Sequence, residues 1–193
     1  MTDRRFIELS HVIRAGMITY PGLPAPEITP HLTREASRER YASGTEFAMD
    51  VITMIGNTGT YLDAPWHRFA DGADLLAGLG DVRGHAVVLH TGNSARFGTP
   101  DYATDPTFLT RDGARWLVEQ GAALVGIDAI NIDDMADGTR PAHTQLLQAG
   151  IPVVEHLTGL EQLPQRGARF TAVPPRVAEF GTFPVRAFAT VDR

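Results

Sequence analysis

The run AALVGIDAINID, residues 122–133, is apolar almost without a break until it ends in acids. A strand of this kind sits inside a protein, covered by other layers, and the rest of the chain must supply them. Further strands are predicted at Phe6–Val12, at 46–55, at 84–92 with Gly92 closing it, and at 151–157. RFTAVPPRV (169–177) and FPVRAFATV (183–191) read as two closing strands. Helices are fewer. Asp105–Gly121 is the best candidate, with Thr110 as N-cap, Trp116, Leu117 and Val118 around one stripe, and Gly121 as the stop. PAHTQLLQAG (141–150) predicts a short helix ending at Gly150. Residues 31–45 read as a polar loop or a short helical piece, 67–80 as a turn with a short helical segment, and 160–170 as a helical turn with a hairpin-like exit. Pro21-Gly22 marks a turn, and three prolines between 21 and 26 keep the chain extended. Strands lie beside helices without the regular alternation of a doubly wound sheet. The expectation is a mixed α/β fold in a single domain, residues 1–193.

Composition narrows the chemistry. The 193 residues can bury a sizeable core. There is no cysteine, which excludes disulfides, thiolate metal sites and cysteine nucleophiles. Seventeen basic and 23 acidic residues give a net charge of -6, and no basic cluster exceeds Arg4-Arg5, so nucleic acid is not an expected partner. No run of 18 apolar residues and no signal-peptide h-region is present, so no membrane span and a cytoplasmic location are expected.

Histidine with carboxylate is then the expected chemistry. The stretch NTGTYLDAPWH, 57–67, carries Asp63 and His67 in a segment constrained by Gly59 and Pro65. Gly59 lets backbone approach a ligand, Asp63 offers a hard oxygen, and His67 can exchange a proton near neutrality. The plainer reading has Asp63 capping a turn and His67 packing on Trp66. His143 opens the 141–150 helix, and Glu155 ends a buried VV run, where an unpaired carboxylate is costly. Glu155 and His156 are adjacent, so on a strand only one of them should reach the site. Asp128 and Asp133 either order the site or cap turns. His85 and His90 read as structural or exposed, and His11 as structural. Tyr20, Trp66 and Phe47 are candidates for an aromatic pocket, Phe47 more readily as core; Arg68 pairs with a substrate carboxylate or lies solvated at the surface.

Four segments, LSHVIRAGMITYPGLP, GNTGTYLDAPWH, VGIDAINID and HTQLLQAGIPVVEHL, together resemble the cyclase-type hydrolase family that contains bacterial kynurenine formamidase and isatin hydrolase. The resemblance implies a swivelling β/β/α fold and a homodimer or homotetramer. The family pattern H-x-G-T-H-x-D-x-P-x-H matches at Gly59, Thr60, Asp63, Pro65 and His67. It departs at its two metal histidines, where Asn57 and Tyr61 stand. His143 and Glu155 match the later ligands. What this implies is a reduced site for one divalent ion, zinc or manganese, on Asp63, His143 and Glu155 with Asn57 as a further oxygen, or no metal at all. Tyr61 would ligate as a phenolate or donate to a developing oxyanion. His67 would transfer protons in hydrolysis of an amide-like C–N bond of a small molecule, an aryl formamide or a cyclic amide. The alternatives are a metal-independent cyclase, lyase or dehydratase using His67, Tyr61 and nearby acids, and a non-catalytic small-molecule-binding relative.

Overall fold

The computed structural model describes residues 4–63 and 84–192. The apolar run supplies β6 (Leu124–Ile127), buried at all four positions. It pairs in parallel with β5 (Ala86–Leu89) and β7 (Val153–Glu155). The strand stops at Ile127, short of the predicted end at 133. Residues 128–133 continue as irregular chain, buried at most positions, which brings their acids back under the sheet. Antiparallel to β7 lies β4 (Tyr61–Asp63), and beyond it β9 (Thr182–Pro184), giving the order β5-β6-β7-β4-β9.

Alternation along these strands makes two cores. Leu62, Leu124 and Val154 face a second sheet, in which β10 (Arg186–Asp192) runs between β1 (Arg4–Glu8) and β8 (Arg169–Val173). Val125, Ile127 and Val153 face Ala114 and Leu117 of α2 (Arg111–Glu119) and Ala142, Leu146 and Leu147 of α3 (Pro141–Gln148). Sheet, sheet and helices are thus layered in that order, which agrees with the expected mixed β/β/α arrangement. Leu62 is 3% exposed and sits between two site residues while pointing away from them. Leu62→Ala is expected to lower unfolding free energy by about 2–5 kcal/mol, read by urea titration, as for other buried truncations. Any ion affinity of the folded fraction should stay unchanged.

The Thr110 cap holds: its hydroxyl accepts from Gly113 N. The helix, however, begins at Arg111 rather than Asp105, and Trp116 is 57% exposed. Consecutive residues lie about 100° apart on a helix, so Trp116, Leu117 and Val118 cannot all share the buried stripe. Residues 31–45 contain α1 (Arg34–Ser37), capped by Thr33. The helical turn expected near 160 is a 3-10 turn at Leu160–Gln162. The helical segment expected within 67–80 lies outside the described residues.

Among the described residues, a hairpin of β2 (Glu27–Leu32) and β3 (Met49–Thr53) pairs only with itself. Ile28, Met49, Val51 and Ile52 are all at least 41% exposed, on both of its faces. Phe47, expected as core, is instead 52% exposed and meets Tyr41 edge to face. Among the described residues, no helix is long and apolar enough to cross a membrane.

Candidate metal centre

The stretch that resembles a loop in the sequence contains a strand inside the main sheet, β4, between β7 and β9. Register then builds the site. Tyr61 pairs with Glu155 across β4 and β7, and Asp63 pairs with Thr182 across β4 and β9. Residues directly opposite share a face, as do residues two apart, so Tyr61, Asp63, Glu155 and Thr182 all project toward the helix layer. Asp63 is fully buried and accepts from the Thr182 hydroxyl at 2.5 Å. Glu155 accepts from Ile132 N at 2.5 Å with one oxygen and from the Tyr61 hydroxyl at 2.6 Å with the other.

The third member arrives from α3. That helix starts at Pro141, and its N-cap, Arg140, lies in the left-handed region without a side-chain cap. Asp133 fills this role from the buried chain after β6, accepting from Ala142 N at 2.5 Å and His143 N at 3.1 Å. The same carboxylate meets His143 Nδ1 at 2.7 Å. His143 Nε2 is thereby turned to Asp63 Oδ2 at 3.3 Å and Glu155 Oε1 at 3.7 Å. Asp133 orders the site, whereas Asp128 caps a turn, accepting from Thr91 N, the Thr91 hydroxyl and Gly92 N.

Charge in this cluster is concentrated. Burial opposes an imidazolium at His143, but Glu155, Asp133 and Asp63 outweigh it and raise the group well above ordinary histidine. Burial, reinforced by Asp63, pushes Glu155 up to about 7 despite the neighbouring His143. Asp133 is buried too, yet its hydrogen bonds to His143 and to two backbone N–H groups hold it below the usual carboxylate range. Asp63, His143 and Glu155 each offer a ligand atom, and these atoms lie within 4.8 Å of one another. Two carboxylates and an imidazole, converging under burial and fixed from behind by Asp133, Thr182 and Ile132, fit a divalent cation of borderline hardness. Asp133→Asn should weaken zinc affinity about 10–100-fold by calorimetry, the range for loss of a partner behind a metal histidine.

Tyr61 is spent on Glu155. Burial, with Glu155 and Asp63 close by, raises its phenol well above 10, and its hydroxyl donates to Glu155. The nearby Asn57 side chain works against that rise. Of the two residues at the family's histidine positions, Tyr61 is hydrogen-bonded to Glu155. Gly56 ahead of them lies against β9, where an added Cβ would sit 2.2 Å from Thr182 O.

Trp66, His67 and Arg68 lie outside the described residues. Tyr20 sits between Thr19 and Pro21, two lining residues of a cavity of about 640 Å³, and is not itself among those that line it. His85 and His90 are exposed, as expected. Glu155 and His156 do not alternate: β7 ends at Glu155, and His156 has φ +55°, so both reach Tyr61. His156, Tyr102 and Thr182 were not expected near the centre. Their places depend on pairings 54 to 119 residues apart in the chain, for which the sequence carries no local signal.

The family model described as "putative cyclase" matches residues 7–80 and 73–134. Kynurenine formamidase of Bacillus cytotoxicus is 27% identical over 217 residues, covering 97% of this chain and 98% of its own. That of Erythrobacter litoralis is 24% identical, covering 92% and 90%. Among solved structures, a predicted metal-dependent hydrolase from Bacillus stearothermophilus aligns with TM-score 0.74 at 24% identity over 97% of this chain and 98% of its own. An isatin hydrolase bound to thioisatinate aligns with TM-score 0.75 at 20% identity over 98% and 93%.

Proposed function

The chain belongs to the cyclase family, and from this we propose that it hydrolyses an amide-like C–N bond, in an aryl formamide or a cyclic amide. The observation that carries the reading is the buried convergence of Asp63, His143 and Glu155. Kynurenine formamidases and isatin hydrolases among the relatives support the bond class. Asp63, His143 and Glu155 would hold one zinc or manganese ion, which supplies Lewis acidity toward a carbonyl and acidifies water.

The protein's own groups do the rest. Asp133 keeps the His143 proton on Nδ1, leaving Nε2 as the ligating nitrogen. Tyr61 donates to one Glu155 oxygen and so directs the other toward the centre. His67 takes the proton from water as its oxygen bonds to the carbonyl carbon. It returns a proton to the nitrogen as the C–N bond breaks. With formanilide and isatin as probes, the zinc-loaded protein should turn over at least one, and His67→Ala should lower kcat about 10²–10⁴-fold. Full activity in that variant would remove His67 from the mechanism.

A metal-independent acid–base enzyme is the second reading. It is favoured by the three carboxylates around His143, which an imidazolium proton also balances. Turnover that survives exhaustive chelation would select it. We also propose self-association through the β2–β3 hairpin, since a two-stranded hairpin with apolar residues on both faces needs a cover. Light scattering should give a dimer or tetramer, with Ile52→Glu shifting it toward monomer.

A further inference from the structure

His156 has no part in the hydrolytic scheme above, yet its setting is costly to build. The residue is 0% exposed and takes a left-handed backbone, φ +55°, that non-glycine residues rarely adopt. A continuing strand would have sent it to the other side of the sheet from Glu155. The break instead sets its ring 5.1 Å from that of Tyr61, whose hydroxyl holds Glu155.

One face of the problem is the tautomer. Tyr102 Oη lies 2.8 Å from His156 Nδ1. Burial raises the Tyr102 phenol, so it keeps its proton. If Nδ1 carried the ring proton, the phenol hydrogen would need another acceptor, and none occurs among the described residues. With the phenol donating to Nδ1, the ring proton is on Nε2. That N–H is buried and has no partner among the described residues. Such a donor is rare unless something else accepts from it.

A second imidazole shares the place. His11 Nε2 is also buried and unpartnered among the described residues. Its ring stacks on Phe97 at 3.6 Å, and Phe97 meets His156 at 6.1 Å. Thr60 ties both backbones, accepting from His11 N at 3.1 Å and donating to His156 O at 2.6 Å. Phe97 and Tyr102 also line the cavity, with Met17, Ile18 and Ile130. Neither histidine lines that cavity, whose wall also carries Arg14, but each contacts a residue that does, His11 through Phe97 and His156 through Tyr102.

We propose that His156, with His11 beside it, forms a substrate-oxygen subsite. Its Nε2–H donates to the carbonyl or carboxylate oxygen of a planar aryl amide whose ring packs along Phe97 and Tyr102. Tyr102 is the positioning residue that fixes the tautomer. The assignment rests on the hydrolytic reading for the substrate class, and its test separates the two.

The experiment is imidazole 15N–1H NMR of the zinc-loaded protein with isatin and formanilide as probes, beside zinc content and steady-state kinetics. A downfield shift of the His156 Nε2–H resonance on adding at least one probe is expected. Tyr102→Phe should move ring proton toward Nδ1. His156→Ala should keep the wild-type zinc content while kcat/KM falls about 10²-fold, the scale for loss of one oxyanion donor, with partial rescue in His156→Gln. A resonance that moves with neither probe overturns the subsite. So does a His156→Ala protein of wild-type activity, or one that loses its zinc along with its activity. If the resonance shifts but neither probe is hydrolysed, the subsite stands and the hydrolytic reading fails.

Discussion

Replacing Asp63 with alanine is expected to cost zinc affinity more than 100-fold and to abolish detectable turnover. Asp63 is the group through which the centre is assembled. It lies 3.3 Å from His143 Nε2 and accepts from Thr182 at 2.5 Å on the neighbouring strand. Loss of a partner behind a ligand costs about 10–100-fold, so loss of a ligand itself should exceed that range. Removing the carboxylate also removes one of the charges that raise Glu155 and support the His143 cation. The metal-free variant should therefore fold, and its circular dichroism should match that of wild type. Asp63→Ala with intact zinc content would mean that Asp63 is a structural partner of Thr182 and His143 and not a ligand.

The second large effect is in the pH dependence of stability, with opposite signs for chelated and loaded protein. Glu155 rises from 4.5 to about 7 in the folded state, and His143 rises well above 6.5. A group whose folded pKa is raised stabilises the fold below its unfolded pKa and loses that contribution as pH climbs through the folded value. For Glu155 the window runs from 4.5 to about 7; for His143 it opens at 6.5 and extends upward. Both shifts lower the stability of chelated protein as pH rises from 5 to 8. Asp133 acts oppositely, but its window lies below 3.8. An ion demands ionised Asp63 and Glu155 and neutral His143, so its affinity rises over the same interval. At free zinc about 100 times Kd the gain is roughly 2.7 kcal/mol, or about 5–10 °C in Tm for a chain of this size. The gap between loaded and chelated melting curves should widen steadily from pH 5 to 8. A constant gap would place the ion elsewhere.

The layers of the fold were legible because they rest on local apolar patterning. The run at 124–127 gave the central strand, and Thr110 gave a helix start. The three candidate ligands Asp63, His143 and Glu155 were also legible, from motif order and from the high energy of leaving Glu155 unpaired beside Val153 and Val154. What stayed hidden was decided by pairing between distant segments. Tyr61–Asp63 reads as loop because it is three residues long and flanked by Gly59 and Pro65, yet two strands pin it into the sheet. Tyr61 was open between phenolate and oxyanion donor; that its hydroxyl donates to Glu155 was not legible, because it depends on the pairing of two distant strands. Alternation failed at His156 because the strand ended one residue earlier, at a backbone angle that side-chain chemistry does not announce.

The most direct measurement is the metal content of protein purified without added chelator, by inductively coupled plasma mass spectrometry, beside the His143→Ala variant. Asp63, His143 and Glu155 converge on one centre, so the account predicts about one equivalent of zinc or manganese in the wild type and almost none in the variant. Metal-free wild type that cannot be loaded with either ion and still hydrolyses formanilide or isatin would contradict it, and would leave the imidazolium of His143 as the charge that holds the three carboxylates together.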